Sequence, residues 1–437
     1  MRIFARWALT TPERLRSDVV VTVEGDRISD VTEGRPQDAD RVVDLLTPGY
    51  ANCHSHAFHR GLRGRVNGVR DDFWSWRDAM YALAARLDPD RYRSLATLVF
   101  REMLLAGFTS VGEFHYLHRD RRGVGYADSN AMGNALIEAA GEAGIRLGLI
   151  DVCYLYGGLD GAGYRPLEGV QRRFGDRDVE AYLARVSELP ESERVCILRG
   201  VHSLRAVSFD ELARLVAASG ASPWHMHLME QPKELEAIVG YYGERPLKLL
   251  AASGLLSPTA TLVHLNQLAE DEVAAVARSG AVTCACPTTE EDLGDGLTPA
   301  ARLLSARGRV SVGTDQHVRI DPFAETGRID AHERLRSGVR TSATTSALWS
   351  TLFAHDTVGF EGVGRLEVGA LADMVAIDLN ELGIAGAAPE EIPRFGTRSS
   401  VVGVWVAGEL AANDVQEERR ALGRRLRELI EHIEEEH

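Results

Sequence analysis

The 437-residue chain is 45% apolar and 26% charged, an ordinary composition for a globular protein with room for a large core and more than one structural unit. Its net charge of −15 speaks against non-specific nucleic-acid binding and against docking on anionic membranes, although a local group of arginines could still receive an acidic ligand. No apolar stretch reaches the length of a membrane span, and Met1 to Trp7 lacks the apolar core of a signal peptide, so a cytoplasmic location is expected.

Up to about Leu46 the chain reads as short strands; Val19 to Glu24 alternates and turns at Gly25-Asp26, and Pro48-Gly49 ends the segment. Eight strand-like apolar runs follow: Tyr50 to His56, Thr109 to His115, Ile145 to Tyr154, Val195 to Ser203, Trp224 to Glu230, Thr261 to Asn266, Val282 to Pro287, and Val310 to Gln316. Amphipathic helical stretches separate most of them, among them 94–105, 211–218 and 271–277. Eight β-runs with intervening helices predict an α/β fold, a (β/α)8 TIM-like barrel. Past the barrel, 363–378 returns to β character, and Val401 to Val406 adds a strand before a turn at Gly408-Glu409. The terminal strands are expected to combine into one small β-sandwich.

The expected division is 1–47 and 356–415 for the sandwich, 48–355 for the barrel and 416–437 for a C-terminal amphipathic helix. That helix carries Leu422, Leu426, Leu429, Ile430 and Ile433 on one face. Its arginines come first and its glutamates last, against the helix dipole, so packing must hold it. The five cysteines are odd in number and scattered, mostly inside apolar runs, which suits reduced thiols better than a disulfide framework. Cys284 and Cys286 lack further cysteine partners and read as core. The glycine-rich 157–163 lacks the lysine and hydroxyl of a phosphate loop and is expected to be a flexible loop beside the barrel mouth.

Polar residues appear at the ends of these runs, where a barrel places its active site. Residues two apart on a strand share a side, so His54 and His56 both face the interior. In the fifth run, His227 is nearer the strand end and reaches the mouth, whereas His225 reads as core or as a supporting residue. Glu230 follows at the start of the loop, placed to relay protons. His264 ends the sixth run and Asp315 the eighth. Nitrogen and oxygen ligands delivered from separate strand ends suit a catalytic metal that keeps one position open for water.

The segment Pro48 to His56, with His227, His264 and Asp315, resembles the amidohydrolase superfamily. A closer match runs through Asn52-Cys53-His54-Ser55-His56-Ala57-Phe58-His59-Arg60, Phe73-Trp74-Ser75-Trp76-Arg77, Glu113-Phe114-His115-Tyr116, His202-Ser203-Leu204-Arg205, Glu230-Gln231 and Cys286-Pro287-Thr288-Thr289-Glu290. These resemble the formimidoylglutamate deiminases, and the likeness covers nearly the whole chain. It implies hydrolysis of a small acidic amidine, N-formimidoyl-L-glutamate, in histidine degradation. It also implies one zinc ion per subunit, or another divalent metal, on His54, His56, His227 and Asp315, and a homodimer. Glu230, His264 and Asp315 would be catalytic; Arg77, Tyr116, His202 and Arg205 would recognise the glutamyl part, with His59 beside them. His59, Met229, Leu265-Asn266 and Gln316 depart from the family's usual residues, which leaves open another amidine, a guanidino compound or an aminated heterocycle.

Arginine's planar fork pairs with carboxylates through two donors, so Arg77 and Arg205 suit a dicarboxylate. For Arg77 a surface ion pair is the other reading. Phe73, Trp74 and Trp76 read equally as helix core or as a lid, and Tyr116 as a carboxylate donor or a strand cap. A barrel kept as a non-catalytic scaffold would have lost a ligand, and none is missing.

Overall fold

The computed structural model describes residues 1–66, 73–340, 342–412 and 414–435, with the backbone alone for Phe73 and Trp74. Four strands lead the chain, β1 (Arg2–Thr11), β2 (Arg14–Glu24), β3 (Arg27–Glu33) and β4 (Arg41–Pro48). Barrel strands β5 (Tyr50–Ser55), β6 (Phe108–His115) and β7 (Arg146–Cys153) follow, and then a hairpin of β8 (Gly158–Asp160) and β9 (Gly163–Arg165). The barrel resumes with β10 (Val195–Val201), β11 (Trp224–Leu228), β12 (Ala260–His264), β13 (Val282–Ala285) and β14 (Arg309–Val312). β15 (Met374–Ile377), β16 (Val401–Val406) and β17 (Glu409–Leu410) complete the strands.

The eight barrel strands lie in chain order, each parallel to the next. They correspond one to one with the eight apolar runs. Strands buried on both faces read as continuous hydrophobic segments, which is why the runs are visible. The circle is closed beyond β14: the Asp315 amide donates to the His54 carbonyl (3.0 Å) and the His56 amide to the Asp315 carbonyl (3.1 Å). Asn52 seals the same seam through Thr314, donating to its hydroxyl (2.7 Å) and accepting from its amide (3.0 Å).

The terminal strands form one seven-stranded sheet in the order β17-β16-β15-β4-β1-β2-β3. It curls over itself: the Ile28 amide donates to Ala370 (2.9 Å) and the Gly369 amide to Ile28 (2.8 Å). The enclosed face carries its own core, including Ile3, Val21, Ile28, Met374 and Trp405, so the two chain ends build the sandwich-like unit together. A buried ion pair fastens it to the barrel, Arg146 on β7 gripping both oxygens of Asp373 at 2.9 and 3.1 Å.

The barrel floor is plugged by the turn His355–Val358. Val358 sits so close that a Cβ on Gly112 would lie 2.7 Å from its Cγ1 and one on Gly148 would lie 2.5 Å from its carbonyl oxygen. The C-terminal helix Val415–Glu435 buries Leu422, Leu426, Ile430 and Ile433 and packs on the helix Pro89–Leu105. Its dipole conflict is met by that packing and, at the C-terminal end, by Arg65, which pairs with Glu434, and Arg86, which donates to the Glu434 carbonyl (3.3 Å). Among the described residues no helix is long and apolar enough to cross a membrane.

Candidate metal centre and active-site cavity

At the barrel mouth four histidines and an aspartate from four strand ends face one point. The ligating atoms of His54, His56 and His227 all lie within 4.8 Å of one another, as do those of His54, His264 and Asp315. Asp315 Oδ1 is 3.5 Å from His54 Nε2 and 3.4 Å from His56 Nε2. The outer ring nitrogens of two histidines meet backbone carbonyls, His56 Nδ1 at Phe114 (2.9 Å) and His227 Nδ1 at His202 (2.9 Å). A carbonyl only accepts, so each Nδ1 carries the hydrogen and each Nε2 presents a lone pair inward.

His227 Nε2 stands 3.1 Å from His54 Nε2. With its lone pair turned inward, His227 can accept there from the His54 ring or share a cation with it. Burial, reinforced for His56 and His227 by neighbouring imidazoles, holds all three rings below the usual imidazole pKa, favouring the neutral ligating form. Asp315 stays ionised, its carboxyl at about 2: burial pushes it up, but His54 and His264 outweigh burial. Neutral imidazoles with one carboxylate are a donor set that fits a divalent cation of the zinc type.

His264 occupies the opposite flank. Its Nε2 is 3.7 Å from Glu230 Oε1 and 3.9 Å from Asp315 Oδ2, and its Nδ1 is 3.6 Å from Glu290 Oε1. Burial opposes its protonation, yet these carboxylates together raise its pKa well above the ordinary value. Glu230 is buried and its carboxyl is raised, chiefly by desolvation. Glu290, fixed by the Cys286 amide (2.9 Å) and the Thr298 hydroxyl (2.7 Å), backs His264 from behind. The backbone here is strained: Met229, His264, Leu265, Asp315 and His317 all have φ between 43° and 76°, a region that non-glycine residues seldom occupy and that clusters at functional sites.

The cluster forms the end of a cavity of about 780 Å³, mouth included. Every residue expected at the substrate lines it: His59, Arg77, Tyr116, His202 and Arg205, together with His56, His227, Glu230, His264 and Asp315. Arg77 is therefore at the cavity, over the Tyr81 ring at 5.4 Å. Tyr116 OH meets His59 Nε2 at 3.0 Å. Trp76 lines the cavity and meets the His59 ring edge-on; the side chains of Phe73 and Trp74, the rest of the expected lid, lie outside the described residues.

Sequence reasoning missed Tyr81, Tyr154, Gln171 and Phe174 on the cavity wall. Tyr154 ends the third apolar run, directly after β7, and its place at a strand end was the signal that could have found it; Tyr81, Gln171 and Phe174 carry no local pattern, because they enter from loops and helices folded over the mouth. The glycine-rich stretch expected as a flexible loop is the ordered β8–β9 hairpin, with Gly157 and Gly158 against the cavity. Two further expectations hold: Cys284 and Cys286 are free thiols in the floor core, and His225 also lies in the floor, its Nε2 on the Thr357 carbonyl (2.7 Å). A second cluster, His115, His118 and Asp151, differs in kind: Arg185 already donates to both Asp151 oxygens at 2.8 and 2.9 Å.

Comparisons with known proteins agree with this geometry. The model of the amidohydrolase family matches residues 45–411. A formimidoylglutamate deiminase of Pseudomonas aeruginosa is 35% identical over 435 residues, covering 94% of each chain. A 5-methylthioadenosine/S-adenosylhomocysteine deaminase of Teredinibacter turnerae is 28% identical, covering 93% of this chain and 90% of its own. Among solved structures, an amidohydrolase from Brucella melitensis superposes with a TM-score of 0.86 at 30% identity, over 98% of this chain and 99% of that one. Fold, site and sequence thus point the same way, and the chain belongs to the amidohydrolase family, hydrolases of carbon–nitrogen bonds.

Proposed function

We propose that the protein is a zinc-dependent deiminase converting N-formimidoyl-L-glutamate and water to N-formyl-L-glutamate and ammonia. One observation carries the reading: two guanidinium groups, Arg77 and Arg205, open on the same cavity as the imidazole cluster. A dicarboxylate needs such paired forks and a neutral ring does not. The 35% identity to a relative of that name supports the same choice.

His54, His56, His227 and Asp315 would hold the ion. When bound, a cation there supplies Lewis acidity and brings the ionisation of water to about pH 7. Asp315, anionic and at the centre of the cluster, accepts the first proton of the attacking water. Glu230 lines the cavity and holds a proton more readily than an exposed carboxylate, so it passes one to the departing nitrogen. His264 donates a hydrogen bond to the attacking oxygen as the tetrahedral centre forms. On collapse the proton held by Asp315 passes to the same nitrogen and the hydroxyl proton returns to Glu230, so the water oxygen ends on the formyl carbon, the amidine nitrogen leaves as ammonia, and both carboxyl groups regain their starting states.

A second reading has its own support: Trp76, Tyr81, Tyr154 and Phe174 line the cavity and would stack on a flat heterocycle. Ammonia release measured over formimidoylglutamate, a monocarboxylate amidine, a guanidino compound and 5-methylthioadenosine separates the two. Formimidoylglutamate should have the highest kcat/KM, chelation should abolish its turnover and zinc should restore it. Preference for the nucleoside would reject the first reading in favour of the second.

A further inference from the structure

The helix Pro232–Tyr242 begins two residues after Glu230, and its third residue, Glu234, is 1% exposed. One carboxylate oxygen of Glu234 accepts the Glu230 backbone N–H at 3.1 Å. The other lies 3.9 Å from Arg205 Nε, and among the described residues neither of those two buried atoms has a hydrogen-bond partner. A single buried anion thus faces the arginine of the carboxylate subsite on one side and the backbone of the proton carrier on the other. The helix N-terminus favours its negative charge.

Met229, immediately before Glu230, is left-handed at φ 53°, so the Glu230 backbone needs an anchor against relaxation. Contact through Nε would also leave the terminal guanidinium nitrogens of Arg205 free to turn toward the cavity. Resting on the deiminase reading above, we propose that Glu234 is a positioning residue that holds Arg205 and Glu230 in one frame, so that seating a carboxylate on Arg205 and delivering a proton from Glu230 use a shared support. It touches neither the reacting atoms nor the metal ligands.

The test uses the zinc-loaded full-length chain. Binding of N-formyl-L-glutamate is measured by calorimetry, and turnover of formimidoylglutamate by ammonia release, in the wild type, Glu234→Gln and Glu234→Ala. The glutamine keeps an acceptor for the Glu230 amide but loses the charge facing Arg205. It should weaken binding and raise KM about tenfold, the scale of one partly buried charge contact, with kcat changed less than about threefold. The alanine removes both contacts and should lower kcat at least about tenfold further, with zinc content unchanged. In an Arg205→Ala background, Glu234→Gln should add nothing to KM, because its partner is gone; a residue needed only for stability would show no such coupling. Wild-type affinity in Glu234→Gln, or additive effects with Arg205→Ala, would overturn this inference alone. Failure of the wild type to bind N-formyl-L-glutamate would overturn it together with the proposed function.

Discussion

The two ends of the barrel use the same residue types to opposite purposes. At the floor, His225 Nε2 meets the Thr357 carbonyl, and His355 is bound on both sides, by Gly49 O (2.9 Å) and the Ser110 hydroxyl (2.7 Å). Cysteines and glycines close around Val358. At the mouth, His54 and His227 bring ring nitrogens to 3.1 Å of each other, carboxylates crowd His264, and five non-glycine residues sit at positive φ. The positive φ values cost free energy in the bare protein, and the burial of so many titratable groups costs desolvation. The floor shows what a histidine does when it serves only the fold, and the mouth what it does when the fold serves a ligand.

That contrast can be broken experimentally, starting where the largest effect is expected. Glu230→Gln should keep full zinc content while lowering kcat by about 10²–10⁴-fold, the usual scale of lost acid–base catalysis; turnover within a few-fold of wild type would remove Glu230 from the proton path. Arg205→Ala should raise KM for formimidoylglutamate about 10- to 100-fold, the scale of a lost charge-assisted pair, with a smaller effect on a monocarboxylate amidine. Equal losses on both substrates would mean that Arg205 supports structure and does not read the second carboxylate. Smallest in kinetic terms is Gly148→Ala at the floor. Its Cβ meets the Val358 carbonyl and should cost about 1–3 kcal/mol in denaturant unfolding, leaving KM and zinc content unchanged. A shift in KM from that substitution would show that the two ends are mechanically coupled.

How much could be read in advance follows from what periodicity records. The eight strands were legible because each is buried on both faces. His54, His56, His227, His264 and Asp315 were legible because each polar residue interrupts an apolar run at the strand end facing the mouth. Arg77 was ambiguous: its helix, Phe73–Ala84, has the pattern of an ordinary surface helix, and only its packing over the mouth turns that face inward. Tyr81, Gln171 and Phe174 were invisible because the path of a connecting segment leaves no local pattern. Glu234 carried no signal that drew notice in the sequence, and Glu290 was only part of a motif, until the fold set them beside Arg205 and His264.

Sequence alone determined which strands exist, in what order, and which side chains stand at their ends, because alternation and burial are written residue by residue along the chain. Only the tertiary structure decided that β14 closes onto β5 through Asp315, that the terminal strands pair in a single seven-stranded sheet with β15 beside β4, and which aromatic and charged groups wall the cavity. Those outcomes depend on contacts between residues hundreds of positions apart, where close packing and the satisfaction of buried polar groups select one arrangement.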